Sequence, residues 1–411
     1  MKRVSFVFLV FVVCLSVLLS GSNCPAKKNR EVIIGGLFSL TGNWSTLGVT
    51  STAAMERAVS DVNAYMSEKG VPLRVHALVE DTKLKPDLAL GHLRAMKARG
   101  IRIVIGPQSS AEAQHLKTYA DEEGMIIVSQ SSTAHALALQ DDNLFRFCPD
   151  DVLEGKAVAA LMHDDGIKGY LSLGRYDPGN SGLNLSIRKA FADRDGALVG
   201  GVRYSPEFET DFNAELKYLE AKLSQARRIY GKDVAIYAAA FDEISRIFGQ
   251  ATKEGYASLS TVRWYGSNGV VKSAVIADDA SAAAFAEKTG YPAPVFGLDE
   301  ALRGKWEPVA RQIHEITGIM PDTYALSVYD AVWVAALAYL RTGIDCTIGD
   351  LKTAFVRQAN GYQGITGSTS LNSAGDRKFG NYDFWAIRDG KWRHVAVYDE
   401  QSGRITRLAA H

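Results

Sequence analysis

The chain has 411 residues, 47% of them hydrophobic and 22% charged, which is enough apolar side chain for two sizeable cores. Its 46 basic and 46 acidic residues cancel to a formal net charge of zero. Neither a basic field for DNA or RNA nor an acidic tail is present, which argues against nucleic-acid binding.

Lys2 and Arg3 precede an apolar run over 4–19 that is broken only by Ser5 and Ser16. That run suits the core of an export signal over residues 1–24 and falls short of the ~20 residues of a membrane span. Cys24 follows Gly21, Ser22 and Asn23, an order similar to a bacterial lipoprotein processing site, although Gly21 stands where Leu is usual. Lipid attachment at Cys24, plain cleavage and an uncleaved anchor all remain open. Each places the folded body outside the cytoplasm, in the periplasm or on the outer face of the membrane. Of the cysteines only Cys148 and Cys346 fall in that body. They could form one disulfide or stay as two free thiols, and no CxxC pair suggests zinc or redox chemistry.

The folded part opens with a buried strand at 32–37 that ends in glycines. A helix over 50–66 then carries Met55, Ala58, Val59, Val62 and Met66 on one face. A strand at 73–79, a helix at 86–98, a strand at 101–105, a helix at 111–122 and a strand at 125–128 follow. After Pro149 the rhythm restarts. Strands are expected at 170–173, 197–203, 234–237 and 262–265. Helices over 183–191 and 212–225, and through Ile244, Ile247 and Phe248, lie between them. The tail over 382–398 reads as a β-hairpin around Asp389-Gly390. Strands alternating with single helices imply an α/β fold of two Rossmann-like lobes with parallel sheets.

Ligands of such sheets gather beyond the carboxyl ends of the strands, where helices begin. Three loops stand there: 35–44, ending in Trp44; 106–112, with Gln108, Ser109 and Ser110; and 129–134, with Ser131 and Thr133. Their hydroxyls and free backbone N–H groups can hold a carboxylate or another oxygen-rich group. Each loop taken alone is also an ordinary helix cap.

Together with the stretches 34–42, 79–82 and 265–269, these loops are similar, in order, to the type I periplasmic binding proteins of the branched-chain amino-acid (leucine/isoleucine/valine) group. The similarity spans about residues 31–400. It implies two lobes joined by a three-crossing hinge near residues 150, 298 and 366. The N-terminal lobe would be 31–149 with 299–365, and the C-terminal lobe 150–298 with 366–411. It also implies capture of an amino acid, amide or carboxylate by hinge closure and delivery to the permease of an ABC importer, with no cofactor or metal. Carried over by position, Ser110, with Gln108 and Ser109 nearby, and then Ser131 and Thr133 would hold the ligand's carboxylate. Tyr324, Trp44 and Phe241 would line its side chain. Asn268 would stand where an acid usually meets an ammonium, offering a carbonyl but no charge. Gly179 stands where the group often has Tyr or Trp, so the aromatic cover is missing or displaced to Tyr176. Both departures put an ordinary branched-chain amino acid in doubt.

An enzyme is the rival reading. Ser186-Ile187-Arg188-Lys189 has the S-x-x-K spacing of some penicillin-binding proteins, but it falls in an amphipathic helix without companion motifs. The histidines show no metal spacing. A sensor that presents its ligand to a separate receptor is the second rival. A sensor would normally continue into a membrane helix and a signalling domain.

Overall fold

The computed structural model describes residues 30–205, 211–252, 256–378 and 380–409. The export segment and Cys24 lie outside the described residues. The N-terminal lobe is built on β1 (Arg30–Phe38), β2 (Leu73–Asp81), β3 (Ile103–Ile105), β4 (Ile126–Ser129) and β5 (Leu144–Arg146). They form one parallel sheet in the order β2-β1-β3-β4-β5. The two-residue side-chain period of a strand sorts its residues between two cores. Ile34, Ile103, Ile105, Ile126 and Val128 face one layer, and Leu37, Val104 and Ile127 face the other.

The second layer is closed by α2 (Pro86–Ala98) and α3 (Ser110–Glu123), the first by α1 (Ser45–Glu68). The C-terminal lobe begins with α4 (Asp151–Asp164), β6 (Gly169–Arg175), α5 (Pro178–Ala192), β7 (Ala197–Tyr204), α6 (Asn213–Tyr230) and β8 (Val234–Ala239). It continues with α7 (Ile244–Ala251), β9 (Arg263–Gly266), α8 (Ala274–Asp278), α9 (Ala280–Thr289) and β10 (Ala293–Phe296). Strands β7-β6-β8-β9 form a second parallel sheet.

After β10 the chain returns to the first lobe, where α10 (Arg303–Thr317), α11 (Thr323–Thr342) and α12 (Ile348–Gly361) complete the layer begun by α1. The short pair β11 (Gln363–Gly364) and β12 (Gly367–Ser368) leads back to β13 (Tyr382–Arg388), β14 (Lys391–Asp399) and β15 (Arg404–Arg407). These three join β10 in an antiparallel sheet. The hairpin expected around Asp389-Gly390 is the turn between β13 and β14.

The chain thus passes between the sheets after β5, after β10 and before β13. A buried ion pair and a buried, hydrogen-bonded carboxyl brace these passages. Arg146 in β5 makes a two-pronged contact with Asp376, at 2.5 and 2.7 Å. Asp330 in α11 accepts the backbone N–H groups of Ile365 and Thr366, at 2.8 and 3.0 Å.

Two differences from the sequence reading have clear causes. Helix α1 begins at Ser45 rather than near residue 50, because its first turn lies on the preceding loop. A β-carbon on Gly48 would stand 1.8 Å from the Ser39 carbonyl oxygen, so only glycine allows that approach. Helix α11 is long and apolar enough to cross a membrane, yet it is buried within the first lobe. Buried on nearly every side, it shows little helical period to find in the sequence. Cys148 and Cys346 are both free thiols, the first buried and the second half-buried.

Candidate functional site

The three expected loops meet at the carboxyl ends of β1, β3 and β4, and side chains hold them to one another. The Gln108 side chain ties the first to the second. Its carbonyl accepts Ser39 N–H at 2.7 Å, and its amide donates to the Trp44 carbonyl at 3.2 Å. Ser109 caps α3 in a reciprocal capping box with Glu112. Ser110 Oγ accepts from Ser132 Oγ and from Ala134 N–H, both at 3.1 Å. Ser131 Oγ donates to the Gln108 carbonyl at 2.9 Å. Arg146 holds the third loop from beneath, donating to the carbonyls of Ser132 and Ala134.

The facing wall comes from the other lobe. Asp177 caps the first turn of α5, accepting Asn180 N–H at 2.8 Å, and pairs with Arg175 at 3.0 Å. In the turn after β8, Phe241 stacks on Trp44 with ring centroids 4.7 Å apart, and the Arg175 guanidinium lies 5.4 Å from the Phe241 ring. Asp242 accepts Trp44 N–H across the cleft at 2.7 Å. Glu243 accepts from Asn43 at 2.7 Å and from the Tyr204 hydroxyl at 2.6 Å. Burial alone would raise the Glu243 carboxyl, but Arg175, Tyr204 and Asn43 together hold it below the usual range. Asp242 has hydrogen bonds but no cation, and burial pushes it up to about 6.

Between these walls is a narrow cleft, with a volume of only about 10 Å³, lined by Trp44, Ser109, Ser110, Ser131, Thr133, Phe241 and Asn268, with Asp177, Gly179, Asn180 and Leu183. Seven of the nine expected ligand-binding residues therefore share one cavity. Gln108 and Tyr324 stand behind the lining. Gln108 fixes the loops, and the buried Tyr324 hydroxyl accepts from Asn268 Nδ2 at 3.1 Å. The same amide lies 3.4 Å from Thr133 Oγ1.

The suggestion that the missing aromatic cover moves to Tyr176 is not borne out. Tyr176 is 60% exposed and packs on Arg203, because its N–H bonds to the Tyr204 carbonyl and turns the side chain away from the cleft. The aromatic rings that line the cleft are those of Trp44 and Phe241. At position 179 a β-carbon would lie 3.4 Å from Ser110 Oγ, so the helix backbone itself approaches the carboxylate-side loop.

Sequence reasoning missed the second-lobe polar groups. Asp177 carried a signal, since Asp177-Pro178 with Asn180 following is a helix-start pattern. Asp151 and Glu154, one turn apart on α4, were also missed. Both are buried, and Glu154 Oε1 accepts Asn268 N–H at 3.1 Å. Burial raises Asp151 to about 7 and, with the Asp151 charge adding to it, Glu154 well above the carboxylate range. Ser186 lies on α5 where it packs on Gly155 of α4, while Lys189 is exposed, so the S-x-x-K spacing falls in a helix contact. No group of three or more His, Cys, Asp or Glu side chains suited to a metal occurs among the described residues.

Residues 50–390 match the family described as Receptor family ligand binding region. An uncharacterized protein of Methanocaldococcus jannaschii is 28% identical over 396 residues, 92% of each chain. The leucine-, isoleucine-, valine-, threonine- and alanine-binding protein of Pseudomonas aeruginosa is 24% identical over 352 residues, 84% of this chain and 86% of that one. Among solved structures, the branched-chain amino acid transporter substrate-binding protein LivJ of Streptococcus pneumoniae, in complex with isoleucine, superposes with a TM-score of 0.72. Its identity is 18%, over 92% of this chain and 100% of that one. A solute-binding protein of an ABC transporter from R. palustris, in complex with benzoate, also gives 0.72, at 16% identity over 90% of this chain and 96% of that one. The chain belongs to the family of receptor ligand-binding regions and has the type I periplasmic-binding-protein fold.

Proposed function

We propose that the protein captures a small polar ligand between its lobes outside the cytoplasm, closes on it, and delivers it to the permease of an ABC importer. The observation that carries this reading is the cleft. Seven side chains from separate turns of both lobes line one cavity, with hydroxyls on one wall and an aromatic pair on another. The relatives' ligands, branched-chain amino acids and benzoate, share a carboxylate. Ser110 and Thr133 are the groups we assign to it. Lobes of 31–149 with 299–365 and 150–298 with 366–411 would move as units about the three passages, and the ligand's contacts to both would favour the closed state. Thermal-shift screening of amino acids, their amides and their deaminated acids would find the ligand. Calorimetry on Ser110→Ala and Thr133→Ala should then show weaker binding, and unchanged affinity in both would sink the assignment. Presentation of the ligand to a receptor is the second reading, favoured by the family's description. Ligand uptake by vesicles holding the permease, dependent on this protein, would decide for transport.

A further inference from the structure

We infer that the open cavity at the hinge, between the passage after β10 and the passage before β13, is a second binding site. Its ligand is a small zwitterion that sets a carboxylate against Arg377 and an ammonium against the acids at the mouth. This is independent of what the interlobe cleft binds, since the two cavities share no lining residue. The hinge cavity has a volume of about 480 Å³, room for a molecule of amino-acid size. Residues 296–300 and 366–368, from two of the passages, form two of its sides, and residues 399–401 close it.

Arg377 is the one basic residue of the described lining. It is 5% exposed, and burial pushes its guanidinium down to about 10, which leaves it charged at neutral pH. Arg146 meets Asp376 directly, whereas Arg377 has no carboxylate in ion-pair contact among the described residues. Asp330 acts on it through Thr366, whose hydroxyl accepts from Arg377 Nη1 at 2.8 Å and donates to Asp330 at 2.5 Å. Nη2 donates to the Thr366 carbonyl at 2.5 Å, and Nε–H finds no acceptor. A buried cation without a direct counter-charge carries a desolvation cost that an anion in contact offsets. The planar fork of a guanidinium matches a carboxylate. The Phe296 ring lies 4.9 Å from the guanidinium and backs it. Gly367, at a φ of 96°, leaves it uncovered where a β-carbon would stand 3.6 Å from Nη2.

The remaining charges of the lining have the opposite sign: Asp299, Glu300, Asp399 and Glu400. Hydrogen bonds from Ser402 hold the Asp399 carboxyl below the usual range, so it is ionised at neutral pH. Four acids repel a bare anion on its way to Arg377, and Arg377 repels a bare cation that passes them. A molecule carrying both charges suits both. The acids form no group suited to a metal among the described residues. A zwitterion seated there touches two passages at once and would favour their present arrangement.

The experiment titrates the wild-type protein calorimetrically with the standard L-amino acids and with the ω-amino acids from β-alanine to 6-aminohexanoate, which grade the distance between the charges. Pentanoate and pentylamine are the single-charge controls. At least one zwitterion should bind and slow hydrogen exchange at residues 366–368 and 380–381, and both controls should bind at least about tenfold more weakly. Arg377→Met should weaken that zwitterion about tenfold or more, while Ser110→Ala leaves it unchanged. The double variant Glu300→Gln with Glu400→Gln should weaken it about twofold to fivefold, and it carries the test if Arg377→Met does not fold. The inference is overturned if no zwitterion binds, if either control binds as tightly, or if exchange slows only in the cleft loops. Affinity unchanged in the Arg377 and mouth variants overturns it too. If Ser110→Ala and Thr133→Ala weaken the zwitterion while those variants do not, this inference falls and the cleft assignment stands.

Discussion

Replacing Arg146 with Ala tests whether the passages between the lobes depend on a buried ion pair. Arg146 and Asp376 are each about 1% exposed and meet through two bonds of 2.5 and 2.7 Å. Arg146 also donates to the carbonyls of Ser132 and Ala134, which flank Thr133. Truncation leaves the Asp376 charge buried without its partner, a loss of about 3–5 kcal/mol. An unfolding entropy of about 2.1 cal/mol/K per residue, over ~380 residues, gives ~0.8 kcal/mol per kelvin. Arg146→Ala should therefore melt about 4–6 °C lower by calorimetry. The double variant Arg146→Met with Asp376→Leu removes both charges and should recover most of that loss, because the cost lies in the orphaned carboxylate. A shift of Arg146→Ala below about 1 °C would refute the reasoning. So would a double variant whose loss equals the sum of the two single ones.

Trp44→Ala removes the ring that stacks on Phe241 across the cleft. The ring pair is worth about 0.5–1.5 kcal/mol beyond its burial, so ligand affinity should fall at least about twofold to tenfold, and small-angle scattering should show a larger radius of gyration. Gly48→Ala forces a β-carbon to within 1.8 Å of the Ser39 carbonyl and should cost about 1–3 kcal/mol in urea denaturation. The buried acids give a pH dependence. Asp151 has a folded-state pKa of about 7 against an ordinary 3.8, raised by burial. The folded state therefore holds its proton more tightly than the unfolded chain. Its contribution is fully present below pH 3.8 and is lost as pH rises through about 7. Across that window, Asp151→Asn should gain stability relative to wild type as pH rises, read as the difference in melting temperature.

What could be read from the sequence was whatever depends on neighbours along the chain. Strand β1 and helix α3 show it, since one is a run of buried residues and the other opens on a Ser-x-x-Glu cap. The carboxylate-side loops follow from these elements, because strand ends and helix starts fix where hydroxyls point. The partners that close the cleft could not be found this way. Asp242 and Glu243 look like ordinary turn acids until Trp44 N–H and Asn43, some 200 positions earlier, are brought against them. The choice between Tyr176 and Phe241 as aromatic cover turned on one backbone bond, from Tyr176 N–H to the Tyr204 carbonyl, which no local pattern encodes. Asn268 was read correctly as uncharged. The acid behind it lies 114 positions away along the chain.

The contacts across the cleft also bear on how much work a ligand must do. Trp44 with Phe241, Asn43 with Glu243, Trp44 N–H with Asp242 and Thr46 with Ala274 N–H all join the lobes through protein groups alone. Under the proposed hinge closure, each would favour the closed arrangement whatever occupies the cavity, and the ligand would need to supply only the remaining difference between open and closed states. Trp44 sits at a positive φ of 58°, a conformation costly for a bulky residue. Its N–H bond to Asp242 crosses the cleft, so the proposed opening would remove the bond that compensates the strained turn.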